Sequence, residues 1–162
     1  MAVKEGAQFT LYAKWKYEAT GPVNPDVEKN YLRAVVAIAS ADGEASQKEL
    51  DWFAEEQRLL GLPAEVIEEN IFKYDGKNAD IEQLLGNVHY DFPFNFRRAM
   101  LYQAIKMSRA DGVYHDKEKA AVDQAAQILG VEPSVVASLE SLVEIEESTD
   151  RLRLTIFETV RT

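Results

Sequence analysis

Apolar positions recur at helical spacing along most of the chain. Tyr31, Leu32, Val35, Val36, Ile38 and Ala39 line one side of a predicted helix. Asn24 before Pro25 supplies an N-cap and N1 pair, with Asp26 and Glu28 in the first turn, and Asp42-Gly43 stops the run. Ser46-x-x-Glu49 has the form of a capping box and opens a second helix through Leu50, Phe53 and Leu60 to Gly61. Pro63 starts a third, reaching about Tyr74, and a short one is expected over 81–85. After the aromatic link VHYDFPFNF, a long helix from about Phe94 carries Met100, Leu101, Ala104, Ile105 and Met107 up to Asp111-Gly112. The next spans 116–129 and ends at Gly130. Pro133 opens another, with Val135, Val136, Leu139, Leu142, Val143 and Ile145 in phase. Ser148-Thr149 predicts a pause before a last amphipathic stretch over 152–160.

FTLYAKWKY near the N-terminus departs from this pattern. Phe9, Leu11, Ala13, Trp15 and Tyr17 alternate with more polar residues, a strand period, while Phe9, Tyr12 and Lys16 also fit a helix. A lone strand has no partner elsewhere in the sequence. Residues 1–20 are therefore expected to form an extended or short helical arm whose aromatics pack on the body or on a second subunit. Residues 21–162 are read as one domain, an all-α compact helical bundle of about seven helices.

The bundle carries an internal repeat at an offset of 69 residues. Leu32 aligns with Leu101, Val36 with Ile105, Asp42-Gly43 with Asp111-Gly112, and Lys48-Glu49 with Lys117-Glu118. Phe53 aligns with Val122, Leu60-Gly61 with Leu129-Gly130, and Val66-Ile67 with Val135-Val136. Residues 30–70 and 99–139 each read as helix, Asp-Gly turn, helix, Gly stop, helix, which predicts a pseudo-two-fold relation between them.

The repeated Asp-Gly-x5-Glu is the second half of an EF-hand calcium loop. The first half fails, because the first ligand positions are Ile38 and Met107, which offer no oxygen. Two readings remain. In the structural one, Gly43 and Gly112 allow positive φ after a helix, Asp42 and Asp111 form turns, and Glu49 completes a cap. His115 stands where Ser46 stands in the first copy, with Asp116 as an alternative cap. In the functional one, the pseudo-two-fold brings both turns together, so that Asp42, Glu49, Asp111 and Glu118 cluster and need a cation or protons to offset their repulsion. Oxygen ligands favour Ca²⁺, Mg²⁺ or Mn²⁺, and His115 shifts the site toward Zn²⁺.

Composition narrows the remaining chemistry. A net charge of −10 repels phosphate backbones and argues against nucleic acid. There is no Cys, which excludes thiolate sites and disulfides. Neither a Glu-x-x-His pair nor a phosphate-binding glycine motif occurs. His89, in the aromatic link, is expected to be a packed, hydrogen-bonded imidazole, so no catalytic residues are assigned and no enzyme activity is expected. The N-terminus lacks an apolar signal region and the apolar runs are short, which points to the cytoplasm.

Ala39-Ser40-Ala41-Asp42-Gly43, Glu49 and Leu60-Gly61, with Ala110-Asp111-Gly112, Glu118 and Leu129-Gly130, resemble the TerB-like family, bacterial proteins associated with tellurite resistance. The resemblance spans roughly residues 25–147. It implies a compact all-α bundle with internal two-fold similarity and an acidic surface linked to metal binding. It also implies a place in stress-response assemblies, some of them peripheral to the inner membrane. Its carboxylates transfer to Asp42, Glu49, Asp111 and Glu118. In the second copy Arg109 precedes the turn, a cation able to neutralise the cluster without metal. The partner is left as an unidentified protein, a membrane-associated assembly or a second copy in a homodimer. The alternative function is a metal-free interaction module using Phe9, Tyr12, Trp15 and Tyr17.

Overall fold

The computed structural model describes residues 9–86 and 93–158, and it is helical without strands across them. Across these residues eight α-helices follow in chain order: α1 (Leu11–Tyr17), α2 (Pro25–Ala39), α3 (Gln47–Leu59), α4 (Ala64–Ile67), α5 (Ile81–Leu85), α6 (Phe96–Ser108), α7 (Asp116–Leu129) and α8 (Pro133–Phe157). The all-α expectation holds: α1 is the short helical arm, and α2–α8 are the about seven helices expected of the body.

Helices α2 and α6 are the axis of the bundle. Residues 34–39 of α2 and 99–105 of α6 are buried on every side, which is how a helix apolar all round is accommodated. They pack on each other, α5 and α7 close over α2, and α3, α7 and α8 close over α6. Leu32, Ile38, Met100, Leu101, Ile105 and Met107 are among the largest fully buried side chains. The two residues that fail as EF-hand ligands, Ile38 and Met107, are thus core residues of the two central helices.

The ends of these helices follow their sequence signals. Asn24 Oδ1 accepts from Asp26 N at 2.8 Å ahead of Pro25. Helix α6 begins at Phe96 rather than about Phe94, because Asn95 caps it by accepting from Arg98 N at 3.0 Å. Phe94 stays outside the helix and stacks on Phe96, with ring centroids 4.2 Å apart, beside Tyr17 and Tyr31. His89 lies outside the described residues.

Two features differ from the sequence pattern. The helix after Pro63 changes from α to a π-helical turn over Glu68–Phe72. Asn70 in that turn accepts from Arg33 Nε at 2.9 Å and donates to Val66 O at 2.9 Å. The expected pause at Ser148-Thr149 is absent, and α8 runs unbroken to Phe157. Thr149 Oγ1 donates to Ile145 O at 2.9 Å, so its hydroxyl is satisfied inside the helix and does not divert the backbone.

The N-terminal arm folds as the short helix α1 and docks on the body through Glu56 of α3. Tyr12 donates to Glu56 Oε1 at 2.7 Å and Tyr17 to Glu56 Oε2 at 2.5 Å, while Lys16 Nζ lies 2.9 Å from Oε2. Gln103 of α6 extends the network, donating to the Tyr17 hydroxyl at 2.9 Å and accepting from Tyr31 at 2.7 Å. Glu56 is only 4% exposed, so these donors take the place of water around its carboxyl group. Breaking a buried ionic network by removing one member costs about 3–5 kcal/mol. Glu56→Ala is expected to lower unfolding free energy in urea by about 3 kcal/mol and to open Lys14 and Lys16 to proteolysis. A loss below about 1 kcal/mol with unchanged protease resistance would show that Glu56 does not hold the arm.

Candidate metal centre

Each Asp-Gly turn is built the same way. Helix α2 ends with Ser40 N bonded to Val36 O at 3.0 Å, and Gly43 N closes the turn on Ser40 O at 3.0 Å. Helix α6 ends with Arg109 N on Ile105 O at 3.0 Å, and Gly112 N closes on Arg109 O at 2.9 Å. Gly43 has φ 134° and Gly112 φ 94°, backbone conformations that a residue with a Cβ adopts only under strain. Asp111 fixes its own turn by accepting from Val113 N at 3.1 Å.

The helices that follow are both capped by a glutamate reaching back. Glu49 Oε1 accepts from Ser46 N at 2.7 Å, and Ser46 Oγ accepts from Glu49 N at 3.2 Å. Glu118 Oε1 accepts from His115 N at 3.0 Å. Such a cap draws the side chain inward over the first turn. Because α3 and α7 both pack on α6, the two inward carboxyls meet, and Glu49 and Glu118 lie within hydrogen-bonding reach of each other.

Three of the five residues singled out from the sequence converge here. Asp42, His115 and Glu118 each offer a ligand atom, and the three atoms lie within 4.8 Å of one another. His115 Nε2 is 3.5 Å from Asp42 Oδ2, so the imidazole of one turn faces the carboxylate of the other. Asp42 and Asp111 are close enough to act electrostatically on Glu49. Asp42, Asp111 and His115 form an exposed rim, whereas Glu49 and Glu118 form a buried floor.

The floor is electrostatically strained. Glu118 is fully buried and its Oε2 receives no hydrogen-bond donor. Burial is the main force holding its carboxyl above the ordinary carboxylate range, at about 8. The backbone bond from His115 opposes that rise, and Glu49 and Asp42 add to it. Burial likewise raises Glu49. Two facing carboxyls that cannot both ionise share a proton or hold a cation.

Arg109 does not relieve this strain. Its Nε and Nη2 bond the two oxygens of Glu147 on α8 at 2.9 and 2.7 Å, and the guanidinium lies 5.9 Å from the centre of the Tyr114 ring. The guanidinium that could have neutralised the cluster is therefore taken up elsewhere. The sequence spacing named Asp42, His115 and Glu118, the three that converge, and Glu49, which meets Glu118. It did not separate rim from floor, because that depends on the direction in which each cap folds its glutamate.

A metal-free Glu118 makes stability depend on pH. Its folded pKa is raised, so the folded protein binds a proton that the unfolded chain releases near 4.5. The stability tied to that proton is fully present below the unfolded value and is lost as pH rises through about 8. A tenfold difference in proton affinity between the folded and unfolded states is worth about 1.4 kcal/mol. Glu118→Gln is expected to flatten this decline and to exceed the parent in stability at pH 9, by at least about 1 kcal/mol, in denaturant melts run with chelator. Parallel pH profiles for the two proteins would contradict the assignment.

Residues 64–141 match the family model for tellurite resistance protein TerB, a span that includes Asp111, His115 and Glu118. The chain is also similar to a tellurite resistance protein from Nostoc punctiforme, known from its crystal structure. The identity is 27% and the TM-score 0.77, with 93% of this chain and 91% of that one covered. Among proteins with curated descriptions, none matches this chain significantly.

Proposed function

We propose that this chain, which is similar to TerB over residues 64–141, acts without catalysis, as a cation-binding or acidic scaffold protein of a stress-response assembly. The observation that carries this reading is the buried Glu118 Oε2, unsupplied with a donor, in a carboxyl that meets Glu49 beside Asp42 and His115. A divalent cation supplies the missing positive charge and removes the need for a shared proton.

The donor set fits such an ion. Carboxylate oxygens alone suit Ca²⁺, Mg²⁺ or Mn²⁺, and adding an imidazole nitrogen suits Zn²⁺. Asp42, Glu118 and His115 would hold it, with Glu49 and Asp111 as neighbouring charge. On this reading His115 selects the metal class, because it is the only nitrogen donor among the five. The protein would work in the cytoplasm or at the inner face of the membrane. Among the described residues no helix is long and apolar enough to cross a membrane.

A metal-free interaction role through the arm is the second reading, and the observation favouring it is specific. Tyr12 and Tyr17 turn inward to Glu56, while Leu11 and Trp15, one helical turn apart, stay exposed. A Leu11→Ser, Trp15→Ser double variant that recovers the same partners from native extract would set this reading aside.

Calorimetric titration of the chelated protein with Ca²⁺, Mg²⁺, Mn²⁺ and Zn²⁺ tests the leading reading. At least one ion is expected to bind more tightly than about 1 mM, with Glu118→Gln and Asp42→Asn each weakening it by about tenfold or more. His115→Ala is expected to weaken Zn²⁺ more than Ca²⁺. The absence of binding in that range for all four ions would leave the cluster as a proton-sharing cap only.

A further inference from the structure

Helix α8 outruns the body it packs on. Val136 and Val143 are buried, but every residue from 148 to 158 is exposed. The projecting part is apolar: Leu152, Leu154, Ile156 and Phe157 are 61%, 71%, 63% and 76% exposed. A short helix with no packed face is marginal in water. Leu154 and Phe157 lie on the side of α8 that continues the line of Val136 and Val143 past the edge of the bundle. Leu142, Ile145, Leu152 and Ile156 form a second line, rotated from the buried face of α8 and exposed, with Leu142 at the edge of a groove beside Tyr17 and Phe94.

That second line has coiled-coil spacing. Leu142, Ile145, Thr149, Leu152 and Ile156 are separated by three, four, three and four residues, the a and d positions of two heptads. The line is nearly palindromic about Thr149. In the same register the flanking e positions are Glu146 and Arg153, and the opposite g positions are Ser141, Ser148 and Thr155. A parallel pair would bring g against e and set hydroxyl side chains beside these charges, leaving them unmatched. An antiparallel pair brings e against e, so Glu146 of each copy meets Arg153 of the other.

The local partners of these two residues permit this. Glu146 uses Oε1 for both the Tyr102 hydroxyl at 2.6 Å and Lys106 at 3.2 Å, which leaves Oε2 to take a further donor. Arg153 pairs within its own helix with Asp150 at 2.6 Å, both more than half exposed. Exposed pairs of that kind are worth little and exchange readily.

We propose that the projecting end of α8 is an interaction surface for a second copy of this chain, paired antiparallel across Leu142, Ile145, Leu152 and Ile156 with its two-fold near Thr149. The charge pattern selects the second copy and its orientation. A net charge of −10 disfavours an anionic lipid surface. One helix per copy is a small contact, at the low end of specific interfaces, so the dimer is concentration-dependent. This inference is independent of the cation site at the paired turns.

Sedimentation equilibrium of the full chain between about 1 and 200 µM tests it, a range suited to small interfaces. The parent is expected to pass from monomer to dimer, and Leu152→Glu with Ile156→Glu to remain monomeric with an unchanged thermal melt. The absence of native cysteine allows orientation to be read directly. Ser148→Cys is expected to form a disulfide-linked dimer with itself. Ser141→Cys is expected to cross-link with Thr155→Cys in a mixture and not with itself. A parent that stays monomeric to 200 µM overturns the proposal, whether or not it floats with anionic vesicles. A dimer that survives the double glutamate variant, or self-cross-links equally at 141 and 148, also overturns it.

Discussion

Two glutamates that each cap a helix are also driven into the same buried space. Glu49 and Glu118 bend back onto the backbone N–H groups of Ser46 and His115, and that bend points both carboxyls at the junction of the packed helices. A cap at a surface helix costs little electrostatically, because water screens it. Here each cap occupies the space of the other, and burial makes two negative charges incompatible. The proton or cation that resolves the conflict belongs at the point where the two turns meet. Asp42 and His115 add a donor from each turn at the open side.

On the proposed reading, this constraint links the fold to cation binding without a dedicated ligating loop. Ile38 and Met107 occupy the places where an EF-hand would begin, and both are sealed into the core. The donors lie instead within and after the turns, where turn and capping geometry fix them. Pre-set donors lower the ordering cost of binding, and the same rigidity leaves an unmet carboxylate subject to the full penalty of burial when no ion is present. A pair of caps can thus be a structural device in one protonation state and a ligand set in another.

The sequence was most informative where chemistry is local. Asn24-Pro25, Ser46-x-x-Glu49 and the glycines at 43, 61, 112 and 130 signal helix ends through backbone rules, and the structure places ends there. Matching the two turns by their offset also named Asp42, His115 and Glu118, which converge, and Glu49, which meets Glu118. Side-chain choices made across the fold were not legible. Arg109 stands near Asp111 in the chain, yet Glu147 on α8 wins it with two hydrogen bonds. The π turn at Glu68–Phe72 lets Asn70 meet Arg33, a pairing 37 residues apart that no local pattern encodes. Ser148-Thr149 predicted a break because these residues favour turns, but the hydroxyl of Thr149 found its acceptor one turn back in the helix. The aromatic arm was expected to pack on the body or on a second subunit, and the residue that holds Tyr12, Lys16 and Tyr17 to the body, Glu56 on α3, carries no local signal.

All of this depends on the two capping carboxyls being unable to hold two charges at once in the folded, metal-free protein. Carbon-detected NMR titration of the glutamate side-chain carboxyls, with chelator present, measures this at the atoms concerned. Glu118 is expected to titrate with a midpoint near 8, and Glu49 to shift in step with it. Independent titration of both residues in the ordinary carboxylate range, near 4.5, would contradict it.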